Sequence, residues 1–158
     1  MIYLATDHAG FELKEKVKKF LIKEGYEIED FGANTFDPED DYPDFISKAA
    51  QAISKDPESR AIIFGGSGQG EAIVANKFPN VRAAVYYGNL QQMPALTRQH
   101  NDSNILSLGA RFLMEEEAIE AVKLFLETPF SNESRHIRRI KKISKLAADA
   151  VSKIEEDI

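Results

Sequence analysis

The 158-residue chain carries 43% hydrophobic and 29% charged residues with a formal net charge of -6, the balance of an ordinary globular protein and a poor one for general nucleic-acid binding. With no cysteine it offers no disulfide, no thiolate metal site and no cysteine nucleophile. Length predicts a single domain over residues 1-158, and no apolar run approaches the roughly 20 residues of a membrane span, so no membrane partner is expected. A chain that opens directly on the apolar run Ile2 to Ala5 leaves no room for a signal peptide and is expected in the cytoplasm.

Ile2 to Ala5 reads as a strand and Thr6 to Gly10 as a polar loop, after which Leu13, Val17, Phe20 and Leu21 recur at helical spacing up to Gly25. Tyr26 to Phe31 alternates apolar with acidic residues, as a half-covered or edge strand does. Asn34 to Asp44 holds two prolines and five acidic residues, which predicts a solvated loop, and a helix follows from about Pro43 to Ser54. The beta-type run Ala61 to Phe64 empties into four glycines within six residues, and a helical pattern begins at Glu71. Arg82 to Tyr86 reads as a fourth strand, Leu90 to Asn101 as a helix interrupted or restarted at Pro94, and Asn104 to Leu108 as a fifth strand. Met114 to Leu126 predicts a helix stopped by Thr128-Pro129. A last helix, about Asn132 to Glu156, carries Ile137, Ile140, Ile143, Ala147, Val151 and Ile154 at steps of three and four.

This alternation predicts an α/β fold: a three-layer, Rossmann-like, five-stranded parallel sheet with helices on both faces. Ligands in such folds bind beyond the carboxyl ends of the strands. Three polar clusters share that rim: Asp7-His8 after the first strand, Gly65 to Glu71 after the third, and Gly109-Ala110-Arg111 after the fifth.

The stretch FGGSGQGEAIVANK, Phe64 to Lys77, joins strand, glycine loop and helix start, where backbone N–H groups without helical partners favour an anion. It fails the familiar signatures. A dinucleotide fingerprint needs glycine at Glu71, a P-loop needs lysine there, and a nucleophile elbow around Ser67 needs glycine at Gln69. A carboxylate aimed at an anion site would repel the ligand, which points Glu71 toward proton transfer. Taken singly, the other residues have plainer readings: Asp7 as a helix cap, His100-Asn101 as a helix C-terminus, and Arg135 to Arg139 as a solvated helical face with nucleic-acid binding a thin second option. His8, His100 and His136 show no close metal-ligand spacing. Arg135 and Arg139 are four apart on one face, a pairing suited to a phosphate monoester.

Together these residues resemble a family of sugar-phosphate isomerases that includes type B ribose-5-phosphate isomerases and galactose-6-phosphate isomerase subunits. The resemblance runs in unbroken order through DHAGFELK (Asp7 to Lys14), DYP (Asp41 to Pro43), GGSGQGEAIVANK (Gly65 to Lys77), RQHNDSN (Arg98 to Asn104), GAR (Gly109 to Arg111) and SRHIRRI (Ser134 to Ile140). One version of the family has a cysteine base just before the glycine loop and the other a glutamate just after it. With Gly65 and Glu71 at those positions, this chain resembles the glutamate version.

The resemblance implies reversible aldose–ketose isomerisation of a sugar phosphate, ribose 5-phosphate first among the candidates. Glu71 is then the base, His100 the acid that opens the ring with Asp7 assisting, and Ser67 a proton relay. The backbone of Gly66, Ser67, Gly68, Gln69 and Gly70 cradles the oxyanion, Asn101 touches the sugar, and His8, Arg111, Arg135 and Arg139 hold the phosphate. It implies no metal or organic cofactor, and a homodimer or dimer of dimers in which each site is shared and the last helix packs across the partner. The segment Tyr86 to Pro94 departs from the pattern expected of ribose-phosphate isomerases, which leaves galactose 6-phosphate, allose 6-phosphate and four-carbon sugar phosphates open, along with a non-catalytic sugar-phosphate-binding subunit.

Overall fold

The computed structural model describes residues 1–156. In chain order it forms β1 (Ile2–Thr6), a 3-10 turn (His8–Gly10), α1 (Phe11–Lys23), β2 (Ile28–Asp30), α2 (Tyr42–Lys55), β3 (Arg60–Gly65), α3 (Gln69–Ala75), β4 (Ala83–Tyr86), α4 (Met93–Asn101), β5 (Ile105–Gly109), α5 (Glu115–Glu127) and α6 (Ser134–Glu156). The five strands make one parallel sheet in the order β2-β1-β3-β5-β4. The predicted three-layer α/β architecture is therefore the observed one.

The central strands β1, β3 and β5 are almost wholly buried, which is why they read as continuous apolar runs rather than alternating ones. Leu4, Ile62, Phe64, Leu106 and Leu108 face Leu13, Val17 and Leu21 of α1 and Ala118, Val122 and Phe125 of α5. The opposite face packs Ala5, Ala61, Ile63 and Ile105 against Ile46, Ala49, Ala50 and Ile53 of α2 and Ala75 of α3. Burying each of the larger side chains contributes roughly 1.5–3 kcal/mol, so these two layers hold the strand ends in fixed register. Among the described residues, no helix is long and apolar enough to cross a membrane.

Several boundaries differ from expectation for local reasons. The edge strand β2 is three residues long, shorter than the predicted Tyr26 to Phe31, because it has β1 alone to pair with. Of the two alternatives at Pro94, restart is the observed one: α4 begins at Met93, not Leu90, and Pro94 lies in its first turn, where a missing N–H costs nothing. α3 starts at Gln69, two residues before Glu71. In α6, Ile137 and Ile140 are half-buried while Ile143 and Leu146 are exposed, so part of its apolar stripe finds no cover among the described residues. The side chains of Ala147, Val151 and Ile154, predicted to continue that stripe, lie outside the described residues.

Candidate active site

Strand register brings the three predicted clusters to one rim: Thr6 pairs with Phe64, and Gly65 with Gly109. The glycine loop is fastened to the turn after β5. Ser107 Oγ donates to the Gly68 carbonyl at 2.7 Å, Ala110 N to that of Gly65 at 2.8 Å and Arg111 N to that of Gly66 at 3.1 Å. Gly68 has φ 77, and any Cβ there would meet Ser107 Oγ and the Leu108 backbone at 3.1 Å, so both conformation and space demand glycine. A Cβ on Gly66 would lie 3.2 Å from the Arg111 guanidinium, which places that cation directly over the loop. Ser67 is exposed, and its Oγ accepts from Gln69 N at 3.3 Å.

Glu71 is 4% exposed, in the first turn of α3. Burial raises its pKa above the usual carboxylate value and the Asp7 charge adds to the rise, while a bond from its own backbone N–H opposes both. A helix dipole at the first turn favours the ionised carboxylate. With α3 only seven residues long, burial in the free protein is the larger influence. Its carboxylate occupies the space in front of Gly65, where a Cβ would collide with all three carboxyl atoms. A side chain at position 65 and a carboxylate from position 71 thus compete for one point. Gly65→Ala is expected to fold normally by circular dichroism yet lose about 100-fold in turnover, because a displacement near 1 Å is enough to misalign a catalytic group.

Asp7 is buried, and its Oδ1 accepts from Ala9 N at 2.9 Å, so it does cap the 3-10 turn as the plainer reading held. It also sits close enough to Glu71 to act on its charge. His8 carries an interaction that sequence reasoning missed: Asp40 Oδ1 accepts from both its backbone N–H, at 2.9 Å, and its ring Nδ1, at 2.7 Å. That hydrogen bond is the main cause of a raised His8 pKa; burial opposes it, the Asp7 and Asp40 charges support it, and Arg111 lowers it. Asp7, His8 and Asp40 each present a ligand atom within 4.8 Å of the others, a spacing a cation could span that the separations between histidines did not suggest. Tyr42 is a second missed residue. Its hydroxyl lies 2.7 Å from where a Cβ on Gly70 would be, and it walls the loop from the α2 side.

His100, Asn101, Arg135 and Arg139 are elsewhere. α4 returns antiparallel to the sheet, so His100 and Asn101 at its end lie near the start of β5, at the edge opposite Glu71. Both are exposed. The His100 ring lies 4.6 Å from that of buried His136, and Ser131 N donates to the Gln99 carbonyl at 3.2 Å, which joins the start of α6 to the same edge. Arg135 and Arg139 are also exposed there, with Arg135 Nε 2.7 Å from Glu133 Oε2. One chain therefore places these residues in two groups at opposite ends of its sheet: Asp7, His8, Gly66 to Glu71 and Arg111 at one, His100, Asn101, Arg135 and Arg139 at the other.

Residues 2–143 match the family model described as Ribose/Galactose Isomerase. The chain belongs to this family. It is 43% identical over 139 residues to ribose-5-phosphate isomerase B of Mycobacterium tuberculosis, covering 88% of this chain and 85% of that protein. With the probable ribose-5-phosphate isomerase B of Mycoplasma pneumoniae it shares 40% over 142 residues, covering 90% and 91%. The crystal structure of ribose-5-phosphate isomerase B from Mycoplasma genitalium with bound ribulose 5-phosphate superposes with TM-score 0.87 at 37% identity, covering 92% of this chain and 94% of that one. The Thermotoga maritima ribose 5-phosphate isomerase gives TM-score 0.85 at 42% identity, covering 91% and 97%.

Within this ribose/galactose isomerase chain, two buried cations account for motif residues that belong to neither group. Lys14 Nζ is fully buried and reaches Asp30 at 2.8 Å, Asp30 again at 2.9 Å, and the Ala33 carbonyl at 2.7 Å, fixing the stem of the loop that carries Asp40. Arg98 Nη1 donates to Asp102 at 2.7 Å and to the Ser103 carbonyl at 2.6 Å, holding the turn after His100-Asn101. Position in a motif was the available signal for Lys14 and Tyr42; nothing local singled out Asp40 from the four other acidic residues of its loop.

Proposed function

We propose that this chain interconverts ribose 5-phosphate and ribulose 5-phosphate through an enediolate, with Glu71 as the base. The observation that carries the reading is the buried Glu71 carboxylate facing the glycine loop, with its pKa raised toward the range where a carboxylate is a stronger base. Relatives named ribose-5-phosphate isomerase B, one of them with ribulose 5-phosphate bound, support the substrate.

In this mechanism His100 protonates the ring oxygen while Asp7 assists at the anomeric hydroxyl, and the open aldehyde lies over the loop. Glu71 removes the proton from C2, the electron pair forms the C1–C2 double bond, and the carbonyl oxygen becomes the oxyanion. Amides of Gly66, Ser67, Gly68, Gln69 and Gly70 line the loop that receives it, and each such donor contributes about 3 kcal/mol in comparable sites. Ser67 relays a hydroxyl proton between the two oxygens, and protonated Glu71 delivers its proton to C1. Neither metal nor organic cofactor enters these steps.

Completion of the site requires a second copy of the chain. His100 and Asn101, with Arg135 and Arg139 for the phosphate, come from the second copy and meet His8 and Arg111 of the first. The uncovered Ile143 and Leu146 of α6 support a homodimer in which that helix packs across the partner, with a dimer of dimers as the larger assembly.

Because Glu71 acts deprotonated, kcat/KM should rise with pH through its raised pKa, placing the acid limb above the usual value of 4.5. Initial rates with ribose 5-phosphate across a buffer series check this. An acid limb at or below the ordinary carboxylate value would contradict the role given to burial.

A further inference from the structure

The loop between β2 and α2 reads as solvated acidic chain, and most of it is. Asp40 is the exception: its side chain is 9% exposed, while that of His8 is 29% exposed. One carboxylate oxygen accepts both hydrogen bonds from His8, and the other, Oδ2, is buried with no hydrogen-bond partner among the described residues. A buried carboxylate so placed is costly unless an opposite charge compensates it. The nearest group able to carry that charge is the His8 ring, 2.7 Å away.

The surroundings hold the pair in place. Thr6 N donates to the Gly32 carbonyl and Ala33 N to that of Thr6, each at 2.7 Å, and Lys14 clamps the Ala33 carbonyl, so the loop stem is tied to the end of β1 next to His8. Phe36 packs edge-on against the His8 ring, with centroids 6.2 Å apart. With Nδ1 committed to Asp40, the exposed edge of the ring leaves Nε2 for a ligand. The charged groups around it are Asp7 from the end of β1, Asp40, Arg111 after β5, Glu12 and Lys16 of α1, and Glu115 and Glu116 of α5.

We propose that Asp40 is a positioning residue for phosphate capture: it anchors His8 through Nδ1–H and keeps the ring cationic, so that Nε2–H is presented to the phosphate of the substrate. This rests on the reading of His8 as a phosphate ligand. It accounts for a buried acid close to an anion site, since the carboxylate contacts the histidine and the histidine contacts the anion. The raised pKa of His8, with the Asp40 hydrogen bond as its main cause, agrees with that arrangement.

The test uses the full chain and three proteins: wild type, Asp40→Asn and His8→Gln. The asparagine keeps shape and an acceptor oxygen but removes the charge. With three histidines in the chain, imidazole C–H signals can be titrated by NMR and the His8 signal assigned by its loss in His8→Gln. In Asp40→Asn the His8 titration should move to lower pH. KM for ribose 5-phosphate and the inhibition constant of inorganic phosphate should rise about tenfold at mildly alkaline pH, with kcat the less affected, and the gap should narrow as pH falls and His8 protonates unaided. Weaker inorganic phosphate inhibition in His8→Gln with no change in Asp40→Asn overturns the positioning role alone. No change in either variant overturns the phosphate role of His8. A wild-type KM that shifts on adding a chelator or a divalent cation would instead assign Asp7, His8 and Asp40 to a metal and overturn the proposal.

Discussion

Glu71→Gln is expected to yield a folded, substrate-binding protein whose turnover of ribose 5-phosphate is lower by about two to four orders of magnitude, the usual contribution of a positioned general base. The same substitution should stabilise the protein at neutral pH. Burial raises the folded-state pKa of Glu71, so the fold favours its protonated form. Above that pKa the folded chain bears the cost of a buried ionised carboxylate that the unfolded chain does not; below the unfolded value both states are protonated and the difference disappears. Thermal melts should show the glutamine variant more stable at about pH 8 and indistinguishable from wild type below about pH 4. Loss of activity with loss of stability at neutral pH would mean that Glu71 is a structural residue.

Mixing two inactive variants should restore activity. Glu71→Gln damages the half-site at the carboxyl ends of β1, β3 and β5, while His100→Asn damages the one at the end of α4. If each site joins one half from each of two copies, a mixed dimer carries one doubly damaged site and one intact site. Equal mixing with subunit exchange then returns about one quarter of wild-type turnover, since about half of the dimers are mixed and each has one working site of two. Continued inactivity of the mixture, with subunit exchange verified by mass, would show that each chain forms its site alone.

The glycine loop and Glu71 were legible in the sequence because their causes are local. A strand that ends in glycines and restarts as a helix within a few residues constrains its own backbone, and a carboxylate at that point has few uses. A shared site was implied in the sequence by the resemblance alone; in the structure His100 stands apart from Glu71 because a helix between two parallel strands ends at the opposite edge from the strand tips. Asp40 was not legible. Its orientation depends on contacts at the loop stem, the Lys14 clamp on Ala33 and the Thr6 pairing with Gly32 and Ala33, and none of these is encoded within Asn34 to Asp44. The prior burial of Glu71 was hidden for a related reason: it depends on the absence of a side chain at Gly65, and sequence spacing does not reveal that two positions share one point in space.

The most direct test of the central claim is to incubate wild type and Glu71→Gln with ribose 5-phosphate in deuterium oxide, without added metal, and follow both sugars by NMR. Ribulose 5-phosphate should form with wild type, with solvent deuterium entering at the carbon that receives the proton to the extent that protonated Glu71 exchanges before it delivers, while the variant shows neither conversion nor exchange on the same timescale. A wild-type protein that forms no ketose from ribose 5-phosphate, or a variant that exchanges as fast as wild type, would contradict the account.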